Sequence, residues 1–75
     1  MIVYSLPLCA QCRALKKKLE SANIEYEEVI NEELIMDLSK ETGIMTAPIV
    51  EVDGPSIEDP SIFLDYYQTL QKYGI

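Results

Sequence analysis

Apolar positions follow two alternating rhythms along this chain, one of strands and one of helices. Residues 2–5 (Ile2-Val3-Tyr4-Ser5) are β-branched and aromatic, the composition of a short opening strand. After the Leu6-Pro7-Leu8 break the period becomes helical. Leu15, Leu19 and Ala22 fall at i, i+4 and i+7, while Arg13, Lys16, Lys17 and Glu20 point to water. This predicts a helix over 10–22 that stops at Asn23. Residues 24–30 set Ile24, Tyr26 and Val29 among glutamates, a half-exposed second strand. Asn31 is a good N-cap, with Glu32 and Glu33 in the first turn where the helix dipole favours them. That helix should run to about Thr42, turn Leu34, Ile35 and Leu38 inward, and end at Gly43. Ile49-Val50-Glu51-Val52 forms a third strand, closed by the Asp53-Gly54 turn signal. Residues 56–58 suit a very short fourth strand. Asp59-Pro60 then has the form of an N-cap with proline at the first helical position. The last helix is expected from there to about Lys72, burying Ile62, Phe63, Tyr66 and Leu70. Tyr66 and Tyr67 suit the core and rim of that helix, and Met36 and Met45 read as gap fillers.

The order is therefore βαβαββα, an α/β class. The first strand–helix–strand crossover should be right-handed with its two strands parallel. The later hairpin brings antiparallel partners and gives a mixed four-stranded sheet with helices on both faces. This is the minimal thioredoxin fold, here as one domain over residues 1–75. A chain of 75 residues hides only roughly 60% of its unfolded surface, so the core is modest. With 48% hydrophobic residues it still has ample material for a compact domain.

Charge narrows the partners. Six basic and thirteen acidic residues leave a net charge of −7. Such a chain repels phosphate backbones, so no nucleic acid is expected, and neutral or positive docking surfaces are preferred. The opening residues lack a basic n-region and an adequate apolar h-region, and apolar runs elsewhere fall far short of a membrane span. The expectation is a cytoplasmic monomer with no membrane attachment and no cofactor.

The two cysteines change the picture most. A single bridge between Cys9 and Cys12 would staple almost nothing, and the chain has no histidine. Chemistry explains the pair better than stability does. Cys9-Ala10-Gln11-Cys12 lies where the first strand hands over to the first helix. Unsatisfied N–H groups and the positive end of the helix dipole favour a thiolate on Cys9 there, and the thiolate is the nucleophile. Cys12, one turn later and deeper, is placed to resolve a mixed disulfide on Cys9. A zinc site needs four ligands, so no metal is expected within one chain. A non-catalytic module holding a metal or cluster across a dimer is the competing reading from another class.

Two further segments carry candidate contacts. Pro48, at the start of the third strand, is either a trans strand opener or part of a cis Ala47–Pro48 bond. In the cis reading, Thr46, Ala47 and Pro48 lie against Cys9 and present backbone groups to an extended substrate. Arg13, Lys16 and Lys17 share a helix face. They form either a dock for an acidic partner segment, with Arg13 also a candidate contact for the thiolate, or a solvated face supported by pairs such as Lys16–Glu20.

These residues resemble the glutaredoxins and, more closely, the glutaredoxin-like redoxins of the NrdH type that reduce ribonucleotide reductase. The resemblance spans nearly the whole chain. It rests on the opening Ile-Val-Tyr-Ser strand, the Cys-x-x-Cys followed by Arg13, Thr46-x-Pro48 before a hydrophobic strand, and Asp53-Gly54 after it. It implies a thiol–disulfide oxidoreductase, an electron carrier acting on protein disulfides. It also favours the cis bond and places Gln11 beside the substrate. Gln11 matches the Cys-x-Gln-Cys of the ribonucleotide-reductase redoxins, whereas dithiol glutaredoxins read Cys-Pro-Tyr-Cys. Glutaredoxins carry a Gly-Gly followed by an acidic pair that grips glutathione, and here the region reads Ser56-Ile57-Glu58-Asp59-Pro60-Ser61, without the glycines. Leu6 stands where a lysine is usual, and the chain has no tryptophan. The implied reductant is thioredoxin reductase or glutathione. A glutathione-dependent glutaredoxin is the alternative within the family.

Overall fold

The computed structural model of this protein describes residues 1–54 and 58–75. Its elements are β1 (Ile2–Ser5), α1 (Ala10–Ser21), β2 (Glu27–Ile30), α2 (Glu32–Thr42), β3 (Ile49–Val52), β4 (Ile62–Leu64) and α3 (Tyr66–Tyr73). The sheet order is β2-β1-β3-β4. β1 and β2 are parallel, and β1–β3 and β3–β4 are antiparallel. The mixed four-stranded sheet with three helices is the glutaredoxin-type thioredoxin fold expected from the element order.

Strand alternation divides the buried residues between two faces. Val3, Val50 and Val52 pack with Leu15 and Leu19 of α1, and Tyr66, Leu70 and Tyr73 of α3 complete that layer. Ile49 packs on the opposite face with Ile35 and Leu38 of α2, joined by Tyr4 and Phe63. Successive strand residues point to opposite sides, so Val3 and Tyr4 serve different cores.

Helix ends follow their local chemistry. α1 closes at Asn23, which takes φ 58°. The Ile24 N–H donates to Leu19 O at 2.9 Å and the Asn23 N–H to Glu20 O at 3.1 Å, the paired bonds of a Schellman stop. α2 starts on Asn31, whose side chain accepts the Leu34 N–H at 3.1 Å, and ends at Gly43 with φ 79°. Gly54 is held by space instead of torsion, because a Cβ there would come within 2.5 Å of the Pro60 carbonyl oxygen.

The C-terminal third differs from expectation. Ser56 and Ile57 lie outside the described residues, and Glu58 sits in a turn. The fourth strand is Ile62–Leu64, which pairs Val52↔Ile62, Glu51↔Phe63 and Val50↔Leu64. The last helix begins only at Tyr66, capped by Asp65 instead of Asp59. Ile62, Tyr66 and Leu70 happen to fall at helical spacing, so periodicity alone joins strand and helix into one element. A free edge on β3 supplies hydrogen bonds that settle the matter for the strand. β2 is also shorter than 24–30, because Ile24 closes α1. Met36 and Met45 are exposed, at 61% and 79%, and fill no gap. Among the described residues no helix is long and apolar enough to cross a membrane.

Candidate active site

Cys9 is the N-cap of α1, with extended backbone (φ −98°, ψ 112°). Its Sγ accepts the Cys12 N–H at 3.1 Å, so the sulfur takes the place usually held by a serine or aspartate oxygen at a helix start. The two sulfurs are joined as a disulfide, with Cα atoms 5.2 Å apart. In the dithiol, the same N–H and the same helix end favour a thiolate on Cys9. Burial separates the pair. Cys12 is 2% exposed, while Cys9 is half-buried.

The Ala47–Pro48 bond is cis, and it brings the Ala47 carbonyl oxygen to 4.0 Å from Cys9 Sγ. Pro48 is buried, Ala47 is half-buried and Thr46 is exposed. Gln11 and Arg13 are exposed on the first turn of α1. Of the sequence-predicted residues, the structure brings the Ala47 carbonyl to Cys9 Sγ from 38 residues away, and sets Arg13 in one hollow with both cysteines.

Two hollows flank them. One, of about 420 Å³, lies between the Thr42–Thr46 loop and Phe63, Asp65 and Gln68. At that end of α3 the Asp65 side chain accepts the Gln68 N–H at 2.8 Å, and the Gln68 side chain accepts the Asp65 N–H at 3.1 Å. The acidic residue bordering this hollow is therefore Asp65, and not the Glu58-Asp59 pair. The other hollow, of about 250 Å³, is lined by Ser5, Leu6, Cys9, Cys12, Arg13, Lys16 and Glu28. Lys16 pairs there with Glu28 at 2.7 Å, not with Glu20, which instead accepts the Tyr26 hydroxyl at 2.9 Å. Ser5 and Glu28 escape a reading of the sequence. The signal for them is strand parity, since Ser5 lies two residues from Val3 and Val3 pairs with Glu28.

A Cys-x-x-Cys disulfide at a helix start, beside a cis-proline loop on a four-stranded sheet, defines a thiol–disulfide redox protein of thioredoxin-like fold. The chain matches the Glutaredoxin family model over residues 1–57. It is 31% identical over 58 residues to an "uncharacterized glutaredoxin-like 8.6 kDa protein in rubredoxin operon" of Clostridium pasteurianum, covering 69% of this chain and 73% of that protein. No solved structure gives a significant match. The chain belongs to the glutaredoxin family.

Proposed function

We propose that this protein reduces protein disulfides, with Cys9 as nucleophile and Cys12 as resolving thiol. The observation that carries this is the asymmetry of the pair. Cys9 is half-buried and caps α1, whereas Cys12 is 2% exposed one turn in. A thiolate on Cys9 attacks one sulfur of the substrate disulfide and releases the other as a thiol. Cys12 then attacks Cys9 Sγ, the internal disulfide forms, and the second substrate thiol leaves. The Ala47 carbonyl borders the attacking sulfur, and an extended substrate chain pairs with the Thr46-Ala47-Pro48 loop there. Gln11 and Arg13 meet the partner from α1. The cycle suits the reducing cytoplasm. Ribonucleotide reductase is the partner that the Cys-x-Gln-Cys resemblance supplies.

The reductant we infer is thioredoxin reductase in preference to glutathione. Glutathione brings two carboxylates, and the α3 end of the nearby hollow greets them with Asp65. The N–H groups of Asp65 and Gln68 are already bonded to side chains, which leaves that helix end with less to offer an anion.

The experiment follows both steps. Cys12→Ser should accumulate a mixed disulfide on Cys9, seen by mass spectrometry, while Cys9→Ser should lose all turnover. With NADPH, thioredoxin reductase should reduce the disulfide much faster than glutathione and its reductase do. An adduct on Cys12 of the Cys9→Ser protein would reverse the roles. Efficient glutathione coupling without response to thioredoxin reductase would move the protein to the glutathione-dependent reading.

A further inference from the structure

Resolution requires a proton to leave Cys12, and Cys12 has almost no contact with solvent. A thiol attacks only as its thiolate, and burial in apolar surroundings opposes that charge. Helix position gives less help than it gives Cys9, since Cys9 is the N-cap that accepts the Cys12 N–H, while Cys12 is the third residue of α1. The hollow on the β2 side of the cysteines is therefore of interest.

It is lined by both cysteines together with Ser5, Lys16 and Glu28. Three elements bring these side chains together. Glu28 pairs with Val3 across the parallel β1–β2 ladder, so its side chain takes the face that α1 covers. Ser5, two residues beyond Val3, faces the same way and is 1% exposed. Lys16 follows Cys12 by four residues on α1, and helical side chains lean back over the preceding turn. The Glu28 carboxylate is held by both neighbours. Its Oε2 accepts from Lys16 Nζ at 2.7 Å and from Ser5 Oγ at 3.4 Å. The Lys16 and Glu28 side chains are 27% and 26% exposed, so this ion pair stands at the mouth of the hollow, within reach of water.

We propose that Glu28 is the proton acceptor for Cys12 in the resolving step, positioned by Lys16 and Ser5. The proposal rests on the assignment of Cys9 as nucleophile and Cys12 as resolver. In the mixed disulfide, the Cys12 S–H proton passes to the Glu28 carboxylate, directly or through one water in the hollow. The Cys12 thiolate attacks Cys9 Sγ. The Cys9–Cys12 bond forms, the Cys9–substrate bond breaks, and the leaving thiolate is protonated as Glu28 releases its proton. The substrate disulfide is the oxidant, so electrons balance. The reverse path serves re-reduction, where Cys12 leaves Cys9 and Glu28 returns the proton. The other titratable groups here are Arg13 of α1, which lines the hollow, and Tyr26, which feels the Glu28 charge.

The test measures the two steps separately with bis(2-hydroxyethyl) disulfide. In acid-quenched samples of Glu28→Gln at pH 7, mass spectrometry should find the Cys9 mixed disulfide accumulating, with decay slowed about 10–100-fold. The deficit should shrink as pH rises toward 9, where hydroxide replaces the carboxylate, and Glu28→Asp should recover part of the rate. Lys16→Met should slow the same decay to a smaller extent. In a Cys12→Ser background, adduct formation should be equally fast with and without the Glu28→Gln change, which also shows that the fold survives. Unchanged decay in Glu28→Gln across this pH range would overturn the proposal, as would an equal slowing of both steps. A Cys12→Ser protein that forms no adduct on Cys9 would overturn the underlying role assignment instead.

Discussion

Leu8, the residue before Cys9, holds a left-handed backbone at φ 59° with its side chain 99% exposed. For an L-residue other than glycine or asparagine that conformation costs about 1–2 kcal/mol, and no burial offsets it. Strain of this kind collects at sites where the chain must present a group in a fixed direction. Leu8→Asn should therefore raise the stability of the oxidised protein by about 0.5–1 kcal/mol, read as a higher urea midpoint with unchanged slope. A lower midpoint would mean that Leu8 makes contacts worth more than the strain. Tyr4 makes a different prediction. Its hydroxyl donates to Glu51 Oε1 at 2.8 Å, and desolvation first, then that bond and the nearby negative charge, push its pKa up to about 12. The unfolded chain loses this proton near pH 10, while the folded chain keeps it. The contribution is fully present below pH 10 and lost as pH rises to about 12. Thermal unfolding followed from about pH 9 to about pH 12 should show this decline, and Tyr4→Phe should flatten it. Tyr26 should sustain the remainder, because burial and its bond to Glu20 raise its pKa as well.

α3 shows how a short element is fixed by its ends. It has eight residues, Tyr66–Tyr73, too few for a stable isolated helix. The Asp65–Gln68 capping box satisfies two of its free N–H groups, and Gly74 closes it with φ 65°. The buried Thr69 adds a bond from its Oγ1 to Asp65 O at 2.7 Å. Asp65→Ala should cost about 1 kcal/mol, measured by urea denaturation. The Asp65→Ala and Gln68→Ala double variant should lose less than the sum of the two, since each bond depends on the other for geometry. The same helix start borders the hollow beside Thr46, so this cap also sets the charge at its edge.

For the molecule as a whole, α1 links stability to redox chemistry. It buries Leu15 and Leu19 in the larger core and carries Cys12 on the same buried face. It also holds the edge strand β2 through Lys16 and Glu28. Leu15→Ala should remove about 2–5 kcal/mol, a large part of what a domain of this size has. Urea unfolding followed by circular dichroism would check it, and a loss below about 1 kcal/mol would mean that the core collapses around the gap.

Sequence alone placed the elements up to β3, with β2 begun three residues too early, and the Cys-x-x-Cys pair. Those features are local. Leu15 and Leu19 mark a helix face by spacing alone, Asn31 and Gly43 mark helix ends by their own chemistry, and Cys9 and Cys12 lie one turn apart wherever α1 packs. Tertiary structure decided the rest, because it depended on partners distant along the chain. Ile62–Leu64 became a strand since β3 offered a hydrogen-bonding edge, which outweighed a helical spacing shared with Tyr66 and Leu70. Lys16 chose Glu28 over Glu20 because the β1–β2 register placed Glu28 beneath α1, while Glu20 was left to Tyr26. Glu28 met Ser5, and came to line one hollow with Cys12, in the same way. A pattern along one strand tells which residues share a face, and only the pairing of strands tells which faces meet.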